Sequence, residues 1–225
     1  MRKFLWSVLL LAAGCAVAPR EEAPPALPPA APPSTPGEPW TVVGSRLEVR
    51  VYRDGTMQKL GHNHVITSDA LSGEIRMREP LTASGFELRL PLETLVVDDD
   101  AARSAAGAEF AAQVPQKDRD GTRLNMLGER LLDAARHPEM RLAAESLSGE
   151  PGAYEARVRV SLAGGEHIVT APFTVTIEGD RLDARSTFSL THGDVGLLPF
   201  SAALGALKVR DEFEVDLTLE ARRGS

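Results

Sequence analysis

Between residues 154 and 190 apolar and polar side chains alternate. Tyr154, Ala156, Val158, Val160 and Leu162 stand between Glu155, Arg157, Arg159 and Ser161. Beyond Gly164-Gly165 come Val169, Ala171, Phe173, Val175 and Ile177, mostly with Thr between. Beyond Glu178-Gly179-Asp180, Leu182, Ala184, Phe188 and Leu190 oppose Asp183, Arg185, Thr187 and Ser189. Successive side chains of a strand point to opposite faces, so each run predicts a strand with one dry and one wet face. The Gly-containing links are short enough to make the three strands antiparallel neighbours. Such a meander closes its apolar face on another sheet or on itself as a barrel.

The same alternation frames this core. Leu47, Val49 and Val51 between Arg46, Glu48, Arg50 and Tyr52 predict a first strand that ends at Arg53-Asp54-Gly55-Thr56. Strands are also predicted over residues 72–78, 85–92 and 140–147. In the second of these Phe86, Leu88 and Leu90 oppose Glu87 and Arg89, and Pro91 marks an edge or bulge. Phe213, Val215, Leu217 and Leu219 form the last strand. Two stretches break the pattern. Residues 101–113 are Ala-rich and predict a helix. A second helix opens at Gly121-Thr122, with Thr122 as N-cap. Leu124, Leu127, Leu131 and Leu132 fall on one stripe, and Pro138 stops it. The sum is an all-β chain of about eight strands with a short inserted helical segment. The insertion is expected across an open end or a face of the sheet, with Phe110 and Leu127 in a lid.

The ends carry no alternation. Arg2 and Lys3 precede an apolar run over residues 4–11 and then Ala12-Ala13-Gly14-Cys15. The run is too short for an ordinary membrane helix and ends in small residues, so residues 1–14 read as a signal peptide. It resembles a bacterial lipoprotein signal with Cys15 as the lipidated mature N-terminus; Ala12 stands where Leu is usual. An ordinary secretory signal with a chance Cys is the other reading. Ala16, rather than Asp, after the Cys points to the outer membrane as the anchorage. Residues 15–39 form a Pro/Ala-rich linker, punctuated by Pro24-Pro25, Pro28-Pro29 and Pro32-Pro33. Proline fixes φ and lacks an N–H, so this linker predicts an extended polyproline-II tether to the domain over 40–225. With a single Cys in the chain, no intrachain disulfide is available. The formal net charge of −7 argues against nucleic acid as a charge-driven partner.

Gly61-His62-Asn63-His64 is the sharpest local chemistry. Two His at i and i+2 of a strand share a face, and with His192 or His167 as a third ligand they would suit a metal. Against that stands a role for His62 and His64 in hydrogen bonding at a strand end, held by Gly61. His137 reads as a helix C-terminal residue. Asp98-Asp99-Asp100 lacks the spacing of a calcium loop and reads as a helix cap or a solvated turn. Ser104, Ser186 and Ser189 lack the setting of a nucleophile, so catalysis is not expected. The apolar stretch over 197–207 has no strand alternation and fits a mouth, a membrane-touching loop or buried packing.

Four places together resemble the YceI family, the lipocalin-like polyisoprenoid-binding proteins of bacterial envelopes. Arg123-Leu124-Asn125-Met126-Leu127 through His137-Pro138-Glu139-Met140-Arg141-Leu142 is similar to that family's helix, residue-Pro pair and strand. Val160-Ser161-Leu162-Ala163-Gly164-Gly165 leads, as in the family, into a Thr-rich strand. Phe188 and the following Asp194-Val195-Gly196 resemble its Arg-Ser-Asp-Phe-Gly turn, with Gly193 for Ser, Val195 for Phe and His192 near the missing Arg. Lys208-Val209-Arg210-Asp211-Glu212-Phe213 is similar to the family's final strand. The resemblance covers residues 45–221. It implies an eight-stranded antiparallel barrel whose apolar tunnel holds a long isoprenoid lipid or quinone, in a periplasm-facing envelope lipoprotein. Eight strands alone allow either a packed interior or room for one small ligand. Each buried methylene is worth about 0.8 kcal/mol, so a long chain needs little polar recognition. The lining expected for a tunnel is Phe86, Leu88, Leu90, Phe110, Leu127, Val158, Val160, Phe173, Val175 and Phe188. A metal-binding module on His62, His64 and His192 is the alternative; no cofactor beyond a bound lipid or quinone is expected.

Overall fold

A computed structural model describes residues 37–224 of the chain. The predicted signal peptide, Cys15 and nearly all of the predicted linker lie outside these residues. Among the described residues, eleven strands and two α-helices carry the fold. The strands are β1 (Glu38–Asp54), β2 (His64–Ser68), β3 (Ser72–Met77), β4 (Gly85–Pro91), β5 (Val96–Val97), β6 (Glu139–Glu150), β7 (Ala153–Leu162), β8 (Gly165–Glu178), β9 (Arg181–Thr191), β10 (Ser201–Ala202) and β11 (Leu207–Arg223). The helices are α1 (Asp100–Ala105) and α2 (Gln116–Leu127).

Hydrogen bonding runs β11-β9-β8-β7-β6-β4-β3-β1 and returns from β1 to β11. These eight antiparallel strands close a barrel, one of the two closures the alternation allowed and the one the family resemblance implied. The short β2, β5 and β10 extend the edges of β1, β2 and β11. β1 is long enough to pair with β11 along one edge and, along the other, first with β3 and then with β2.

β1 explains why its first turn of sequence does not alternate in phase with the rest. Trp40 and Val42 are buried at even positions, whereas Leu47, Val49 and Val51 face inward at odd ones. A register shift between Val42 and Gly44 inserts the extra residue that changes the phase. β1 also starts at Glu38, ahead of Trp40. The β7–β8 turn is centred on Ala163 and Gly164, both at positive φ, rather than on Gly164-Gly165. That is the backbone a two-residue hairpin turn requires.

The helical insertion departs most from expectation. α1 is a short helix whose N-cap is Asp99, which accepts from the N–H groups of Ala101 and Ala102. α2 begins after Pro115 and ends at Leu127, so Thr122 is inside it rather than capping it. Gly128, not Pro138, stands at its C-terminus. Leu131 and Leu132 follow in turns, and Leu124, placed by its spacing on the apolar stripe, is 75% exposed. His137 lies past the helix, with Nε2 3.9 Å from Asp133.

The core is one large cluster inside the barrel and two satellites. Trp40, Ile75, Leu182 and Ala221 pack the end where β1 starts, called here the floor. Met126, Leu131 and Leu132 close the other end, the roof. The third cluster, Tyr52, Val65, Ala102 and Phe110, lies on the outer wall, because Val51 and Ile66 are the neighbours that face inward.

Candidate functional site

The inward faces of the wall strands do not fill the barrel. They line a partly open cavity of about 340 Å³. That lies within the range of roughly 300–1,000 Å³ typical of small-molecule sites. Each wall strand contributes alternate residues, among them Leu88 and Leu90 of β4, Val158 and Val160 of β7, and Val215 and Leu217 of β11. The polar side chains on the lining are Ser84, Arg185, Ser186 and His192. Each has a protein partner. Ser84 Oγ donates to the Arg78 carbonyl and accepts from its N–H. Arg185 Nη2 donates to Asp216 at 2.7 Å. Ser186 Oγ donates to the Pro172 carbonyl at 2.6 Å, and His192 Nδ1 lies 2.6 Å from the Asp211 carbonyl. The cavity therefore offers burial and little directional chemistry. Among the described residues the one permanent cation on the lining, Arg185, is already paired with Asp216, so an ionised group inside would find no free counter-ion and the cavity suits an apolar chain.

Of the residues expected to line a tunnel, Phe86, Leu88, Leu90, Val158, Val160, Phe173, Val175 and Phe188 do so. Phe110 and Leu127 are not on the lining. Phe110 is fully buried against Tyr52 on the outer wall, ring centroids 5.5 Å apart. Leu127 packs against the core behind Met126. The lid picture is corrected accordingly: the roof is Met126 with Leu131 and Leu132, whose turn brings both inward. The sequence reading also missed Val195. It is placed by the turn after β9, where Thr191 and Asp194 cap each other and Asp194 accepts from Thr191 N–H at 2.7 Å. That bonding holds the Asp194 carboxyl below the usual carboxylate range. The stretch after it divides: Leu197 lines the cavity, while Leu198, Phe200 and Leu204 are exposed.

The histidines are dispersed. His64 opens β2, but His62 precedes the strand, so the two do not share a strand face as the i, i+2 spacing implied. Their ring centroids are 6.3 Å apart. His62 Nε2 lies 3.7 Å from Asp118. His64 Nδ1 lies 2.6 Å from Asp98 Oδ2. His192 lines the cavity instead, its ring edge-on to Phe213. The ring of His167 lies against Gly196, where an added Cβ would meet Nε2 at 2.2 Å. Among the described residues no group of three or more His, Cys, Asp or Glu has the arrangement of a metal site.

The Gly61-His62-Asn63-His64 segment belongs to a polar cluster on the outer wall. Asp98 is fully buried and accepts from Val65 N–H at 3.0 Å and from Arg103 Nη1 at 2.5 Å, beside His64. Arg103 also donates to the carbonyls of Asn63 and Ala112, both at 2.8 Å. Asn63 accepts from Arg53 N–H and donates to the Glu109 carbonyl. Burial by itself would raise the Asp98 carboxyl. His64, the Val65 N–H and Arg103 outweigh it and hold the carboxyl below its ordinary value. This cluster fastens α1 and the turn at Phe110 to β1 and β2.

With the geometry in view, comparison with known proteins is direct. A family model described as a YceI-like domain matches residues 41–221. The chain belongs to the YceI-like family. Its fold is similar to that of BcnA from Burkholderia cenocepacia, at 10% identity and a TM-score of 0.54 over 78% of this chain and 95% of that one. A YceI protein from Campylobacter jejuni is similar at 8% identity and a TM-score of 0.49, over 69% and 82%. No curated protein matches. At such identities the structural likeness shows the fold alone. Together, YceI-like family and fold support a barrel binding protein.

Proposed function

We propose that this YceI-like protein binds a long, neutral, apolar lipid of the isoprenoid or quinone class in its barrel cavity, to store or carry it in the bacterial envelope. The observation that carries the reading is the cavity of about 340 Å³ with an apolar lining whose few polar groups are already partnered. Displacing water from such a surface stabilises a bound chain by about 0.8 kcal/mol per methylene, and no charged head is accommodated within. In the same reading, lipidated Cys15 anchors the protein in the outer membrane with the barrel facing the periplasm, and the proline-rich segment is the tether. The test is native mass spectrometry with lipid extraction on protein purified from membranes in its cell of origin. One isoprenoid or quinone per chain is expected, with lipidated Cys15 as the mature N-terminus. A folded barrel that carries no lipid and takes up none of a series of isoprenoids would overturn the reading.

A further inference from the structure

The barrel wall is not evenly sewn. β7 and β8 pair from Tyr154↔Phe173 to Leu162↔Gly165, the whole length of the hairpin. β9 and β11 pair from Glu212↔Thr191 to Arg222↔Arg181. Between β8 and β9, pairing stops at Thr174↔Arg185. Residues 165–173 of β8 and 186–191 of β9 are thus each paired with the neighbour behind but have no ladder pairing with each other.

Pro172 accounts for the break. Its carbonyl accepts from Ser186 Oγ, so it faces β9. A strand residue presents its N–H and C=O to the same neighbour, and proline has no N–H to present. The ladder fails at the first β8 residue beyond Thr174 that would bond β9. At the roof end the turn His192–Val195 takes the place of the missing pairs, with His167 against Gly196. The seam is bounded by these two contacts.

We propose that this seam between β8 and β9 is the passage by which ligand enters and leaves the cavity; the proposal rests on the cavity binding an apolar chain. Val169, Ala171 and Phe173 on one side of it, and Phe188 and Leu190 on the other, line the cavity. Trp40 at the floor and Met126 and Leu132 at the roof are buried side chains. Parting the wall between two laddered strands breaks a row of backbone hydrogen bonds. Parting it here breaks apolar contacts and the Ser186–Pro172 bond. Backbone groups left without ladder partners seek water, which keeps such an edge solvated. The alternation of β8 and β9 turns Thr170, Thr187 and Ser189 outward, a neutral rim that a lipid chain passes without ion-pair breakage.

The test is a reversible lock in the chain carrying Cys15→Ser. Thr170→Cys with Ser189→Cys spans the seam, since the register Thr174↔Arg185 extended by four residues sets 170 opposite 189. Arg157→Cys with Thr170→Cys spans the laddered β7–β8 wall as the control. Retinol, a fluorescent neutral isoprenoid, is the probe, and its loading and release are followed by stopped flow. Oxidising the seam pair is expected to slow both rates about tenfold or more at nearly unchanged affinity, with recovery on reduction. The control pair is expected to leave them alone. Equal rates in the oxidised and reduced seam variant, or equal slowing in the control, would overturn the passage while leaving the cavity as the binding site. Failure of retinol and longer isoprenoids to bind the unlocked protein would overturn the binding reading and the passage with it. If the seam pair does not close, a bulky thiol adduct on Ser189→Cys replaces it. Exchange as fast as with the same adduct on Arg157→Cys would then overturn the passage.

Discussion

The cavity and the cluster around Asp98 invert the usual signs of a functional site. The cluster gathers a histidine, a buried carboxylate and a buried guanidinium, yet each of the three is spent on another part of the same wall. The cavity is lined by ordinary apolar residues and has almost nothing polar to offer. Chemically conspicuous residues here fasten the fold, and the anonymous ones make the space. Buried charges demand partners and so produce crowded, closed networks. Apolar faces make no such demand and can be left apart.

The sharpest way to break this contrast is to cut the cluster. Asp98→Ala leaves Arg103 buried at 5% exposure without its carboxylate. Removing one partner of a buried pair costs about 3–5 kcal/mol. Urea unfolding should show a loss of that size, while retinol affinity of the folded protein stays near that of the parent. Replacing Asp98 and Arg103 together by apolar residues should cost less than the single change, because no orphaned charge remains. The pH dependence follows from the same pairing. The Asp98 carboxyl lies below its ordinary value, about 3.9, in the folded state. Its contribution is therefore present above about pH 4 and is lost as pH falls through the folded value. Asp98→Asn should flatten that acid limb. A limb unchanged in slope would remove Asp98 from the account of stability.

The opposite experiment fills the space. Ala156 is buried on β7 with its Cβ on the cavity lining. Adding bulk to a packed core costs about 1–3 kcal/mol. Ala156→Phe extends into the cavity instead, so stability should fall by less than about 1 kcal/mol. Retinol affinity should drop about tenfold or more, near 1.4 kcal/mol. A large stability loss with unchanged affinity would reverse the roles assigned to the two regions.

The wall strands were legible because a period of two survives any tertiary context that keeps one face dry. Of the expected lining, the residues on strands β4, β7, β8 and β9 are where alternation put them. What alternation does not carry is a change of phase, and the shift after Val42 hid the first part of β1. Phe110 was misplaced for a different reason: an apolar residue in an insertion reads the same whether it covers the barrel end or its outside. Arg103 had no sequence signal tying it to Asp98 or His64, since the three meet only through β2 and α1. Pro172 did have one. A proline inside an otherwise alternating strand marks an edge, and the unpaired stretch of β8 begins beside it.

Leu124 is the smallest test and bears on how that insertion is held. By spacing it belongs with Leu127, Leu131 and Leu132 on a helical stripe. The helix ends at Leu127, so Leu131 and Leu132 reach the cavity from a turn and the stripe has no common face. α2 is otherwise polar, and Met126 is its buried residue. Leu124→Gln should therefore change stability within about ±0.5 kcal/mol, the range of an ordinary surface substitution. Met126→Ala should cost about 2 kcal/mol or more, because it removes the roof contact itself. Urea unfolding of the two variants reads the difference. Equal losses would mean that Leu124 is covered in solution and that the apolar stripe, rather than the turn after α2, seats the roof.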